Sequence, residues 1–280
     1  MIEGDARVQG NRVVFDRQSS PGTFQANGSH ANSLVQIATH IELLELANAA
    51  RGSALNSMKL IERLREGVIA LTEQTPRLKY TLAKDGLGGL VLFQGDEAVT
   101  IPSYAAESYF RIGAGDVIAS AFAHAWGELK MPADEAADYA ARCSAYFVEG
   151  PRLPLPSPRD LCGRLVTTER KENLRILGIG DFELQALLRA TENWLEHLGK
   201  SALYRTFDPD DPQPPEDVSD LVLVGSRITR GQLDAIAKAA VRPAVVFWPG
   251  GSMHLARELF PDAMIANDYA TALFHAMRSA

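Results

Sequence analysis

Gly113-Ala114-Gly115-Asp116, followed at once by Val117–Ala123, joins a glycine-rich loop to a run of apolar residues. Two glycines allow the backbone to turn tightly and to approach a ligand closely. The apolar residues recur at helical spacing, which predicts a helix that begins at this loop. The first turn of a helix carries unpaired N–H groups and a partial positive charge, so it can hold a phosphate or a developing anion. Asp116 lies beside that turn and can accept a proton from a substrate hydroxyl.

Two interpretations of this loop are open. A glycine-rich loop, a helix start and a carboxylate together favour phosphoryl transfer. The same residues also suit an ordinary turn, because Asp is favourable in the first turn of any helix. The four residues alone do not decide between the two interpretations. The decision depends on motifs elsewhere in the chain.

Further motifs surround the loop in a fixed order. They are a strand ending at an Asp turn (Arg12–Gln18), Thr39-His40-Ile41-Glu42, a strand with a glycine-rich turn (Tyr80–Gly89), two paired strands (Gly89–Phe93 and Ala98–Pro102) and a second, alanine-rich helix (Asp134–Val148). Together with the Gly-Ala-Gly-Asp loop, this order resembles the C-terminal half of the ribokinase-like (PfkB) carbohydrate kinase family. The resemblance covers about residues 10–150.

The resemblance implies transfer of a phosphoryl group from ATP to a hydroxyl of a small molecule, a sugar or a nucleoside. It makes Asp116 the base. It implies that the N–H groups of the loop stabilise the negative charge that develops during transfer. The loop residues are Gly113, Ala114 and Gly115. Glu42 would organise Mg²⁺ through water. The residues that would frame the nucleotide are Lys84, Gly86, Gly88 and Gly89.

The sequence departs from the family in three places. Phe110-Arg111-Ile112 stands where the family has Asp-Thr-Thr, and Thr39 stands where it has Asn. The family's N-terminal half, with its sugar-binding glycines and lid, has no counterpart. Three alternatives for this chain therefore stay open. It is a fragment of a longer kinase, one subunit of a split enzyme, or a relative that binds its ligand without turnover. We expect a homo-oligomer, or a partner chain that supplies the missing half.

Composition narrows the function classes. The net charge of −7, from 28 basic and 35 acidic residues, argues against nonspecific nucleic-acid binding. Cys143 and Cys162 form neither a metal pattern nor a disulfide framework. No apolar run reaches the ~18–20 residues that cross a bilayer, and Met1–Asp5 lacks signal-peptide features, so we expect a cytoplasmic protein without membrane contact. The six histidines show no metal spacing, and His40 is expected on a helix surface.

The second part of the chain alternates strands and helices. Four prolines within Pro151–Pro158 predict an extended linker, so we divide the chain into residues 1–150, a linker at 151–170 and residues 171–280. The alternation predicts an α/β fold: a Rossmann-like or flavodoxin-like parallel sheet after the partial ribokinase-like domain. The predicted strands are 174–179, 202–207, 221–225, 244–248 and 264–266, and the predicted helices are 182–198, 229–241, 252–259 and 270–277.

Two features of this second part suggest ligands. Pro249-Gly250-Gly251-Ser252 before a helix is either an anion site or an ordinary turn with an N-cap. Three runs weakly resemble the nucleoside 2-deoxyribosyltransferase-like family: Asp220–Val224, Gly231–Ala237 and Arg242–Val246. In that resemblance Asp234 takes the place of the nucleophilic Glu. Alternatives to a kinase are therefore a deoxyribosyltransferase- or glycosidase-like enzyme and a non-catalytic nucleotide-binding or assembly subunit.

Overall fold

The fold comes from a computed structural model that describes residues 7–17, 24–55, 58–110, 112–150, 152–166, 173–179, 182–197, 200–207, 220–225, 227–240 and 243–278. The chain divides into two compact units, residues 1–168 and 169–280. Each unit contains a five-stranded sheet with helices, so the predicted α/β class is confirmed. Within the described residues, no helix has both the length and the apolar character to cross a membrane.

The sheet of the first unit follows the chain in the order β1 to β5. Its strands are β1 (Gln9–Asp16), β2 (His30–Thr39), β3 (Leu78–Lys84), β4 (Leu90–Gln94) and β5 (Glu97–Ile101). The first three strands are parallel, whereas β4 and β5 are antiparallel. The carboxyl ends of β1, β2 and β3 therefore meet at one edge of the sheet, where α/β proteins bind ligands. These ends carry Asp16, Thr39 and Lys84.

Two helix pairs cover the two faces of this sheet. The helices are α1 (His40–Arg51), α2 (Leu60–Gln74), α3 (Ala114–Phe122), α4 (Ala133–Val148) and the short α5 (Pro158–Leu161). Successive strand residues point to opposite faces. Ile37 and Leu82 accordingly pack with α3 and α4, whereas Ala38 and Ala83 pack with α1 and α2. The carboxyl edge thus lies between the starts of α1 and α3.

The proline-rich segment is not the linker that the sequence predicts. Its described part, residues 152–166, packs on the first unit: Tyr139 donates to the Pro156 carbonyl at 2.9 Å, and Leu161 is buried in the core. Arg164 donates to the Ala105 carbonyl at 2.8 Å. Prolines stop regular helix and strand, but they leave side chains and carbonyls able to pack. The compact unit therefore continues to residue 168. Pro151 and residues 167–170 lie outside the described residues.

The second unit is a parallel sheet with alternating helices. In chain order its elements are β6 (Asn173–Ile179), α6 (Phe182–His197), β7 (Ser201–Thr206), β8 (Leu221–Val224), α7 (Arg230–Ala239), β9 (Val245–Phe247), α8 (Met253–Leu259), β10 (Met264–Ala266) and α9 (Tyr269–Ala276). The spatial order is β10-β9-β8-β6-β7, and every pair is parallel. Counted within this unit, the order is the flavodoxin-like 2-1-3-4-5. The predicted alternation and its strands are confirmed.

An ion pair with a buried carboxylate fixes the start of β8. Asp220 precedes the strand and has a fully buried side chain. Its carboxylate accepts the Arg175 backbone N–H at 2.8 Å and the guanidinium at 3.0 and 3.1 Å. The aspartate that leads this strand thus has a structural role, because it joins β8 to β6.

Candidate active site

The Gly-Ala-Gly-Asp loop forms the start of α3. Gly113 is the N-cap residue, with a φ of 84° that glycine adopts without steric cost. Its carbonyl accepts the Val117 N–H at 3.0 Å, so Ala114, Gly115 and Asp116 form the first turn. The N–H groups of a first turn have no acceptor within the helix. The predicted helix start is confirmed. A helix start of this kind can bind an anion.

Lys84 lies beside this helix start. A Cβ on Gly115 would be 3.5 Å from Lys84 Nζ. The ammonium group also contacts Asp16 at 2.9 and 3.1 Å, and the two side chains are 13% and 12% exposed. Three distant segments of sequence thereby meet at the carboxyl edge of the sheet. Asp16 was not predicted as a site residue, although its place at the end of a strand was.

Glu42 closes a capping box at the start of α1. Its Oε2 accepts the Thr39 N–H at 2.7 Å and the Thr39 hydroxyl at 2.9 Å, and Thr39 Oγ1 accepts the Glu42 N–H at 3.2 Å. The described residues include no group of three or more His, Cys, Asp or Glu that could hold a metal ion.

The glycine-rich turn after Lys84 is closed on itself. Asp85 donates its N–H to the Gly89 carbonyl at 3.0 Å, and Gly88 donates to the Asp85 carbonyl at 2.7 Å. Gly86 and Gly89 have φ values of 54° and 89°. These glycines shape the turn, which follows directly on the residue beside α3.

His40 contacts the first residues of this turn. The prediction that it lies on the surface is wrong, since only 4% of it is exposed. Its Nδ1 is 3.2 Å from the Lys84 carbonyl and 3.9 Å from Asp85 Oδ1, while its Nε2 has no hydrogen-bond partner among the residues that the structure describes. The cause is the parallel sheet: the first turn of α1 follows β2 and lies against the end of β3.

In the second unit, Pro249–Ser252 is explained by local structure. Ser252 Oγ accepts the Leu255 N–H at 3.3 Å as an N-cap, and the helix that follows, α8, has only seven residues. A Cβ on Gly251 would overlap the Trp248 ring, and Gly250 has a φ of 73°. The ordinary turn and N-cap, one of the two predicted alternatives, accounts for these contacts.

Asp234 lies in a surface ion-pair network. Its carboxylate accepts Arg230 Nε at 3.0 Å, and Arg230 also contacts Glu258 at 3.3 Å. Its side chain is 40% exposed. An i,i+4 pair of this kind is common on exposed helix faces. The contacts of Asp234 give no support to a nucleophilic role.

Comparisons with known proteins found no matching family model and no matching curated protein. Similar solved structures include ribokinase from Thermotoga maritima, with 19% identity over 53% of this chain and 46% of that one and a TM-score of 0.38. Ribokinase from Cryptococcus neoformans in complex with ADP has 22% identity, coverages of 49% and 45%, and a TM-score of 0.38. Ribokinase from Giardia lamblia has 19% identity, coverages of 54% and 48%, and a TM-score of 0.39. This chain spans about half the length of these structures.

Proposed function

We propose that the first unit transfers a phosphoryl group from ATP to a hydroxyl of a sugar or nucleoside. One observation carries the proposal: Lys84 Nζ lies beside Gly115, in the first turn of the helix that also bears Asp116. A cation, the N–H groups of a helix start and a carboxylate are groups that phosphoryl transfer uses together at one place.

Each group has a separate task. The N–H groups of the first turn of α3 and the Lys84 ammonium stabilise the negative charge on the phosphoryl group in transit. Asp116 accepts the proton of the attacking hydroxyl. The turn formed by Asp85–Gly89 follows Lys84 directly and provides backbone and small residues beside the nucleotide. Mg²⁺ neutralises phosphate charge when it is bound, and Glu42 would hold it through water.

The test is the Asp116→Asn variant, assayed for transfer from ATP to a panel of sugars and nucleosides. We expect turnover to fall by about 10²–10⁴-fold, because a positioned proton acceptor contributes that much. ATP affinity and the circular dichroism spectrum should not change. Asp134→Asn is the matched control, since Asp134 is an exposed carboxylate in the first turn of α4. Turnover within a few-fold of wild type in Asp116→Asn would contradict the assignment of the base.

The same panel of sugars and nucleosides distinguishes a kinase from a non-catalytic nucleotide-binding subunit. A wild-type protein that binds ATP but transfers nothing to any hydroxyl is a nucleotide-binding subunit and not a kinase. Release of a free base from nucleosides would instead point to the second unit.

A further inference from the structure

The cation at the candidate site is already paired. Lys84 Nζ contacts both oxygens of Asp16, at 2.9 and 3.1 Å, and both side chains are mostly buried. Charge pairs at this distance interact strongly when water is largely excluded. The ammonium group beside Gly115 is therefore neutralised before a phosphate arrives.

The neighbouring charges reinforce this effect. Asp16 places a negative charge next to the ammonium group of Lys84, so the pair has no net positive charge to attract an anion. A free inorganic anion gains N–H contacts from α3, but it meets repulsion from the Asp16 carboxylate. A phosphate that arrives with a divalent cation has part of its charge offset, so the repulsion is reduced.

We propose that Asp16 determines which form of the phosphoryl donor this site accepts. By neutralising Lys84, it makes the site select phosphates complexed with Mg²⁺ and reject free inorganic anions. The inference rests on the proposed function only in placing a phosphate at the start of α3. Asp16 acts through Lys84, so it is a specificity-determining residue and not a catalytic one.

The test measures binding of pyrophosphate in EDTA and in Mg²⁺ by calorimetry. For the wild-type protein we expect the affinity to rise by about tenfold or more when Mg²⁺ replaces EDTA. For Asp16→Asn we expect the affinity in EDTA to rise by about tenfold or more, because Lys84 loses its counter-charge while the side-chain shape is kept. Equal wild-type affinities in the two media, or no gain in Asp16→Asn, would overturn the proposal.

Two further variants show whether the gain comes from Lys84. Asp134→Asn makes the same charge change at an exposed carboxylate in the first turn of α4, and it should give a much smaller gain. The double variant Asp16→Asn/Lys84→Met should lose the gain, since the uncovered ammonium is absent. A gain of equal size in either variant would overturn the role of the ion pair.

Stability gives a second readout. Asp16→Asn leaves a mostly buried ammonium unpaired, which destabilises the protein. Sulfate or pyrophosphate without Mg²⁺ should therefore raise the melting temperature of the variant more than that of wild type. Equal shifts would count against the inference. The wild-type Mg²⁺ comparison tests it even if the variant does not fold.

The outcomes also separate this inference from the proposed function. A gain in free-pyrophosphate affinity in Asp16→Asn, with no transfer from ATP by the wild type, would overturn the kinase and support the role of Asp16. An active kinase whose Asp16→Asn variant gains no affinity for free anions would support the kinase function and overturn the role of Asp16.

Discussion

At the scale of single residues, Gly89 meets two constraints together. Its φ is 89°, and a Cβ there would overlap the carbonyl oxygen of Ile101. Left-handed strain alone costs a non-glycine residue about 1–2 kcal/mol. We expect Gly89→Ala to lower the free energy of unfolding by more than this, because the clashing atom belongs to the backbone. Urea denaturation of the full chain measures the loss.

Gly95 is the matched control for this prediction. It also has a positive φ, 55°, but among the described residues a Cβ there would meet no atom within 4 Å beyond its own chain neighbours. Gly95→Ala should therefore show the strain without the overlap. A loss in Gly89→Ala no larger than that in Gly95→Ala would contradict the packing of the turn against the end of β5.

The site residues divide by whether their signal is local. Gly113–Asp116 could be predicted because a glycine N-cap and a first-turn carboxylate are neighbours in sequence. Asp16 could not be paired with Lys84, since 68 residues separate them and they meet only because β1 and β3 flank β2. The prediction of a surface position for His40 is wrong for the same reason. Its burial depends on the end of β3 and not on its own helix.

At the scale of elements, Arg164 ties the proline-rich segment to the end of α4. Its two Nη atoms donate to Glu149 at 3.0 and 2.7 Å. These hydrogen bonds lower the pKa of Glu149 from its ordinary value of 4.5. The folded state thus binds this proton less readily than the unfolded state. The stabilisation is present above the ordinary value and is lost as pH falls through the folded-state pKa.

We therefore expect Glu149→Gln to destabilise the protein at neutral pH, and the difference from wild type should shrink as the solution is acidified below 4.5. Urea denaturation over a series of acidic pH values measures it. Glu135→Gln, at an exposed position in the first turn of α4, is the control and should track wild type. A Glu149→Gln difference that stays constant with pH would show that the ion pair does not stabilise the fold.

Strands and helices with a regular pattern of apolar residues were predictable. Elements whose placement depends on contacts with distant parts of the chain were not. β8 is a short run of four buried apolar residues, which is typical of a strand covered on both faces. β2 had no predicted counterpart, because its polar residues interrupt the apolar pattern, and one of them, Gln36, is nevertheless buried. The prolines after α4 fixed the backbone but gave no information about its contacts, so a packed segment was predicted as a linker.

At the scale of the whole molecule, the sheet of the first unit ends at β1 and β5. In the described part of the chain, no strand pairs with the outer edge of either. Unpaired edges favour association, and Val99 on β5 is 46% exposed. We expect this protein not to be a monomer: it should form a homo-oligomer or bind a partner chain through these edges.

Light scattering coupled to size exclusion at micromolar concentrations tests this expectation against the chain mass of 30.4 kDa. Val99→Lys should lower the measured mass of an assembly formed through β5, because a charged side chain on an edge strand opposes pairing. Leu129→Lys is the matched control, since Leu129 has the same exposure, 46%, and lies outside the strands. A wild-type mass of one chain throughout, with no binding of a dye for apolar surfaces, would mean that both edges are protected within the monomer. An assembly that survives Val99→Lys would show that it does not form through β5.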